Sequence, residues 1–169
     1  MNSKLELFVD CDWTIRQPSG QGRFIDHPDQ QKVIEGADKA LQCFKNKGYI
    51  ILGVTNQAGV AARHKTLNNC IKEQQKTLEL LPQIKGIIFC PDYGTTCYYC
   101  ERHYFSEVTS KAYAGEYRKP KPGMILQFKT NGSSALMVGD RNEDAEAAVA
   151  AGIPFMWTSD WLVKYGSFR

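Results

Sequence analysis

A chain of 169 residues, 43% of them hydrophobic, is sized for one domain with a full core. Its 21 Lys and Arg against 18 Asp and Glu leave a formal charge of +3, which suits an anionic substrate without marking a nucleic-acid surface. No apolar run approaches the roughly 20 residues that span a membrane.

The first residues already read as a core strand, so no signal peptide is expected. The six cysteines, Cys11, Cys43, Cys70, Cys90, Cys97 and Cys100, are then expected to be reduced thiols of a cytoplasmic protein.

In chain order, Leu5 to Val9 is an apolar run broken only by Glu6, as in a parallel strand buried on both faces. It runs straight into Asp10-Cys11-Asp12-Trp13-Thr14. Two carboxylates two residues apart on an extended chain share a face, and they repel unless a proton or cation lies between them. A hard cation such as Mg²⁺ is the natural partner for such oxygens. Arg16 to Gln31 is rich in turn residues, with a short strand expected at Phe24-Ile25. Gly36 to Lys47 has the 3–4 spacing of a helix, stopped by Gly48.

Tyr49 to Val54 is a second buried strand, ending at Thr55-Asn56-Gln57. Thr66 is placed to cap a helix carrying Leu67, Ile71, Gln74, Leu78 and Leu81. Gly86 to Cys90 is a third strand. Pro91 to Tyr117, with three cysteines counting from Cys90 and one His, is expected to be an irregular insertion. A short helix follows over Pro120 to Lys129. A fourth strand, Ala135 to Val138, ends at Gly139-Asp140. Asn142 to Ala151 is an alanine-rich helix, and Ile153 to Trp157 is a fifth strand. Alternating strands and helices predict an α/β fold, a Rossmann-like three-layer sandwich with a mostly parallel sheet and no large cap.

In such a sheet the polar strand ends meet on one rim. That rim collects Asp10 and Asp12, Thr55 and Asn56, Arg118 and Lys119, and Asp140 with Asp144 one turn on. Carboxylates for a cation, phosphate donors and a neutralising cation are what phosphoryl transfer needs.

The segments DCDWT, VTNQAGVA, YRKPKPGM and VGDRNEDAEAA resemble, in order, the four motifs of the haloacid dehalogenase (HAD) phosphatase superfamily. TNQ with RKPxPGM is similar to the group containing histidinol-phosphate phosphatase, heptose bisphosphate phosphatase and polynucleotide 3′-phosphatase. The resemblance implies that Asp10 attacks phosphorus and that Asp12 serves as general acid and base. It further implies that Asp10, the backbone carbonyl of Asp12 and Asp140 hold Mg²⁺, with Asp144 supporting the metal shell. Thr55 and Asn56 would bind phosphoryl oxygens, Lys119 would neutralise charge, and Arg118 would reach the substrate. An inactive HAD-like binding module is the minor alternative.

Trp13 stands where the family usually has Gly, so the loop after Asp12 is reshaped, or the indole stacks on substrate, or it packs as core. The zinc loop of the heptose and histidinol enzymes is broken here. Cys90, Cys97, Cys100 and His103 are either a rearranged zinc site or thiols and a histidine of a packed loop. The substrate is a small phosphorylated metabolite or a nucleic-acid 3′ end, with Trp13, Arg16, Arg23, Tyr117, Arg118 and Lys121 as the surface that would grip a polynucleotide. The protein is expected to be a monomer with no membrane partner.

Overall fold

The computed structural model describes residues 3–167. Its centre is a seven-stranded sheet in the order β7 (Tyr104–Glu107), β6 (Tyr98–Glu101), β5 (Gly86–Cys90), β4 (Tyr49–Asn56), β1 (Leu5–Val9), β8 (Ser134–Gly139), β9 (Phe155–Trp157). Strand β1 (Leu5–Val9) lies in the middle and pairs in parallel with β4 (Tyr49–Asn56) on one side and β8 (Ser134–Gly139) on the other. Successive side chains of β1 enter opposite layers: Leu7 and Val9 pack on one face and Phe8 on the other. All three are fully buried, as an apolar run between two helical layers requires.

Helices α1 (Ala37–Asn46), α2 (Leu67–Leu80) and α5 (Thr158–Tyr165) cover the Leu7 face through Leu41, Phe44, Ile71, Leu78 and Trp161. Helices α3 (Gly123–Phe128) and α4 (Asn142–Ala150) cover the Phe8 face through Met124, Ile125, Ala147 and Ala148. The result is the three-layer α/β sandwich expected from the alternation of elements. Thr66 caps α2 by accepting from the Asn69 amide at 3.1 Å. Gly48, at φ 86°, ends the first helix in the left-handed conformation that glycine takes without steric cost. No described helix is long and apolar enough to cross a membrane.

Two expectations are corrected, and one element is added. The expected strand at Phe24-Ile25 is absent, and Phe24 is largely exposed. The chain there forms instead a two-stranded antiparallel ribbon of β2 (Arg16–Pro18) and β3 (Gln31–Val33), which flank the turn-rich loop. The insertion after β5 (Gly86–Cys90) is not irregular throughout. It carries a hairpin, β6 (Tyr98–Glu101) and β7 (Tyr104–Glu107), that extends the sheet antiparallel beyond β5. Its side chains alternate between the two layers, Cys97 and Tyr99 on one and Tyr98 and Cys100 on the other, but its turn, Arg102-His103, has none of the usual turn residues. Finally, α5 follows β9 (Phe155–Trp157) and buries Trp161 completely, an element that the short C-terminal stretch did not announce.

The chain runs from β1 outward to β4 and β5, then returns past β1 to β8 and β9. The direction of winding therefore reverses beside β1, and the carboxyl ends of β1, β4 and β8 open on one crevice. At the end of β8 the backbone must approach α4 closely. A Cβ on Gly139 would lie 2.4 Å from the Asp144 Cβ, an overlap that real structures do not tolerate. Gly139→Ala is accordingly expected to cost about 1–3 kcal/mol by overpacking. Urea denaturation of the variant measures it, and a loss within error of zero would show that α4 can move away freely.

Candidate active site

The site is built at the end of β1. Asp10 follows the last strand residue, and its amide donates to the Val138 carbonyl of β8 at 2.9 Å. Its carboxylate is held at both oxygens. Lys119 Nζ donates to Oδ1 at 2.7 Å, and Thr14 Oγ1 donates to Oδ2 at 3.2 Å. Lys119 Nζ donates as well to Asp144 Oδ1 at 2.5 Å and to the Val54 carbonyl at 2.8 Å. All three donor positions of the ammonium are thus used in a buried place. Lys119 is itself placed by Asn56, whose side-chain amide donates to the Lys119 carbonyl and accepts from the Lys119 amide, both at 2.9 Å. Asn56 therefore acts on the backbone of the Lys119 segment.

Asp144 sits in the first turn of α4. Its Oδ2 accepts from the amides of Asp140 and Arg141 at 3.1 Å each. This uses the free N–H groups at a helix start and favours a carboxylate there. Asp10, Asp140 and Asp144 offer oxygens within 4.8 Å of one another, and they are the one such metal-competent group among the described residues. Burial pushes the Asp10 carboxyl up to about 8; Lys119 opposes the rise, and Asp144 and Asp12 add to it. Asp140 is raised too, first by burial, although a side-chain hydrogen bond with Asp10 opposes this. Carboxylates crowded in this way favour a proton or a cation among them. The donor set, all oxygen, fits Mg²⁺.

Asp12 points differently. Arg16 Nε donates to its Oδ1 at 3.0 Å, and Gln57 Nε2 donates to its Oδ2 at 2.9 Å. Burial raises its pKa, but the Arg16 charge, the hydrogen bonds and Lys65 outweigh it and hold Asp12 below the usual carboxylate range. Gln57 Nε2 donates also to Thr55 Oγ1 at 3.0 Å, so the Thr55 hydroxyl keeps its own hydrogen to give. Arg118 lies 6.0 Å from the Tyr93 ring, and its Nη1 is buried without a hydrogen-bond partner.

The structure thus brings Asp10, Thr55, Asn56, Lys119, Asp140 and Asp144 together, with Asp12 beside them. Residues that sequence reasoning passed over are Thr14, Gln57, Lys65 and Glu73. Gln57 lay in the TNQ segment and was legible there; Glu73 was not, since a Glu on an amphipathic helix ordinarily faces solvent.

Several site expectations change. Arg16 is not a surface cation: it is fully buried, with Asp12 and Glu73 as its ion-pair partners. Tyr117 is fully buried too, its hydroxyl meeting Gln127 and the Ser110 amide. Trp13 is 38% exposed, so it is not core. Its φ of 64° keeps the left-handed shape that glycine would take, and its indole N–H donates to the Arg23 carbonyl at 3.2 Å. That conformation costs a bulky residue about 1–3 kcal/mol.

The zinc set is not assembled. Cys90 and Cys97 pack on the α3/α4 face, whereas Cys100 packs on the α1/α2 face. His103 is exposed in the β6–β7 turn. The strand alternation of β6 separates the ligands. Cys90 Sγ donates instead to Asp92 Oδ1 at 3.3 Å, and burial pushes the Cys90 and Cys100 thiols up to about 12. Purified protein is therefore expected to carry no stoichiometric zinc by elemental analysis. One equivalent that disappears in Cys97→Ser would reverse this assignment.

The chain has relatives among known proteins. The sequence model of the polynucleotide kinase 3 phosphatase family matches residues 5–151. The D-glycero-beta-D-manno-heptose-1,7-bisphosphate 7-phosphatase of Haemophilus ducreyi is 32% identical over 157 residues, covering 89% of this chain and 80% of that one. Its Escherichia coli counterpart is 29% identical over 157 residues, covering 87% and 74%. Among solved structures, the D,D-heptose 1,7-bisphosphate phosphatase of B. bronchiseptica, crystallised with magnesium and phosphate, superposes with a TM-score of 0.69. It has 21% identity over 98% of this chain and 89% of that one, a likeness of fold. The chain belongs to the polynucleotide kinase 3 phosphatase family within the HAD superfamily, and it is a hydrolase of phosphoric monoesters.

Proposed function

We propose that the protein is a Mg²⁺-dependent phosphatase of small phosphorylated sugars, of the heptose bisphosphate class, working through an aspartyl-phosphate. The observation that carries the chemistry is the single buried ammonium of Lys119 shared by Asp10 and Asp144. The observation that favours the sugar substrate is 32% identity to a heptose bisphosphate phosphatase across 80% of its length.

In this reading Asp10 is the nucleophile. Its carboxylate oxygen forms a bond to phosphorus while the bond from phosphorus to the leaving oxygen breaks. Lys119 and Thr14 fix the two carboxylate oxygens, so the attacking group does not rotate between turnovers. Asp12, ionised at rest, takes the proton of a substrate bound as the phosphate monoanion, passes it to the leaving oxygen, then takes one from the water that cleaves the aspartyl-phosphate. Thr55 donates its hydroxyl hydrogen to a phosphoryl oxygen. Asp10, Asp140 and the Asp12 carbonyl would hold Mg²⁺, with Asp144 behind them; the ion would supply positive charge that favours ionised Asp10 and offsets the phosphoryl charge. Arg118, with an unused N–H, is the group for the rest of the substrate.

A second reading, hydrolysis of a 3′-phosphate on a polynucleotide, is favoured by the description of the matched family. It loses two of its expected contacts, Arg16 and Tyr117, to the interior. Phosphate release with Mg²⁺ from heptose bisphosphate, histidinol phosphate and a 3′-phosphorylated oligonucleotide separates the readings. The highest kcat/KM is expected on heptose bisphosphate; a clear preference for the oligonucleotide would put the second reading first.

The metal and the nucleophile are tested together. Because burial holds a proton on Asp10 up to about pH 8, Mg²⁺ must displace that proton, and its binding strengthens as pH rises. Mg²⁺ is expected to raise Tm more at pH 8 than at pH 6. Asp10→Asn is expected to abolish turnover and most of this shift. Turnover persisting in that variant would remove the aspartyl-phosphate mechanism.

A further inference from the structure

Five side chains close a ring around the far side of Asp12. Arg16 Nε donates to Asp12 Oδ1 at 3.0 Å. Arg16 Nη2 lies 3.2 Å from Glu73 Oε1, a pair held by charge and off the line of a good hydrogen bond. Lys65 Nζ donates to Glu73 Oε2 at 2.7 Å and to Gln57 Oε1 at 3.3 Å. Gln57 Nε2 then returns to Asp12 Oδ2 at 2.9 Å. The members come from three separate segments: the turn after β1, the loop after β4, and α2.

We propose that Arg16 and Glu73, with Lys65 and Gln57, are positioning residues that hold the Asp12 carboxyl in the orientation from which it protonates the leaving oxygen. The proposal rests on the reading of Asp12 as general acid. It goes beyond that reading because it assigns a role to Arg16, Lys65 and Glu73, which lie outside the phosphatase motifs, and joins Gln57 of the TNQ segment to them.

Three features argue for positioning over plain structural support. First, the ring ends on both oxygens of one carboxylate, which fixes its plane. Second, exposure is one-sided: the Asp12 side chain is 39% exposed, while those of Arg16, Glu73 and Lys65 are 1%, 3% and 11% exposed. The ring therefore presents a single reactive group at the crevice and keeps its support dry. Third, Arg16 is braced from behind. Its Nη1 donates to Thr77 Oγ1 at 2.6 Å, and that hydroxyl donates in turn to Gln31 Oε1 at 2.6 Å. Burying a guanidinium and a glutamate costs several kcal/mol unless geometry and hydrogen bonds compensate. Apolar residues would fill this space with less penalty, so the charges are explained by what they hold. Arg16 is suited to it because a planar fork sets direction, which a lysine ammonium does not.

The test uses leaving groups. Phosphorylation of Asp10 by an alkyl phosphate needs a proton on the departing oxygen; p-nitrophenolate departs without one. The quantity compared is kcat/KM, which covers steps up to loss of the leaving group. Glu73→Gln is expected to lower kcat/KM on an alkyl phosphate by about tenfold, a fraction of the ~10²–10⁴ that general acid catalysis supplies, while p-nitrophenyl phosphate changes by less than about twofold. Lys65→Met, at the more exposed corner of the ring, is expected to show the same bias and serves if Glu73→Gln does not fold by circular dichroism. Equal losses on both substrates would make the ring merely structural, and an unchanged alkyl rate would remove any role; either outcome overturns the proposal. Asp12→Asn is measured alongside. If it shows the leaving-group bias and the ring variants do not, the ring proposal alone fails. If Asp12→Asn shows no bias, the reading of Asp12 as acid falls, and the ring proposal with it.

Discussion

Lys119 Nζ lies between Asp10 and Asp144, 2.7 and 2.5 Å from them, and all three side chains are buried. Removing Lys119 would leave two carboxylates without their counter-charge in a low-dielectric place, a change that costs about 3–5 kcal/mol. The architecture serves this contact. Parallel pairing of β1 with β8 brings Asp10 to the height of Asp140. The bare backbone of Gly139 lets α4 come close enough for Asp144 to reach in. Asn56, at the end of β4, grips the main chain of Lys119 across 63 residues of sequence. The carboxyl ends of β1, β4 and β8, with the start of α4, are fixed to one another through a single ammonium group.

Much of this was legible because it is local. Apolar runs that end in Asp10, Thr55 and Asp140 mark buried strands with polar tips, and strand alternation with helices places those tips on one rim. What was not legible depended on distant partners. An Arg four residues after an Asp reads as an exposed pair. Only the packing of α2 against the turn after β1 puts Glu73 and Thr77 behind Arg16 and takes it inside. The cysteines failed for the converse reason. Cys97 and Cys100 are close in sequence, but a strand runs through Cys100 and sends it to the opposite layer. The hairpin itself was hidden by a turn of Arg102 and His103, residues that do not punctuate.

Trp13 shows how a local rule was met by an unexpected residue. The turn between Asp12 and Thr14 needs a positive φ, and Trp13 adopts it at 64°. The strain is offset by what the indole does. Its N–H ties the Arg23 carbonyl and so pins the loop between β2 and β3 to the rim. A glycine there would relieve the backbone and release that loop. The exchange of conformational ease for a cross-loop tether is one of the ways in which strain collects at functional sites.

The charges of the site divide into two groups, and the division explains where a cation belongs. Around the nucleophile stand three carboxylates, Asp10, Asp140 and Asp144, with one ammonium, Lys119. That group carries two negative charges in excess when ionised, and burial raises the pKa of Asp10 and Asp140. Around the acid stand Asp12 and Glu73 with Arg16 and Lys65, two charges of each sign, closed on one another. A divalent ion has charge to neutralise in the first group and none in the second. The separation is useful chemically. A carboxylate bound to a metal through both charge and lone pairs is a poor proton carrier, so the group that must gain and lose a proton is best kept clear of the cation. Two aspartates two residues apart, alike in sequence, are thereby given different chemistry by the elements packed around them.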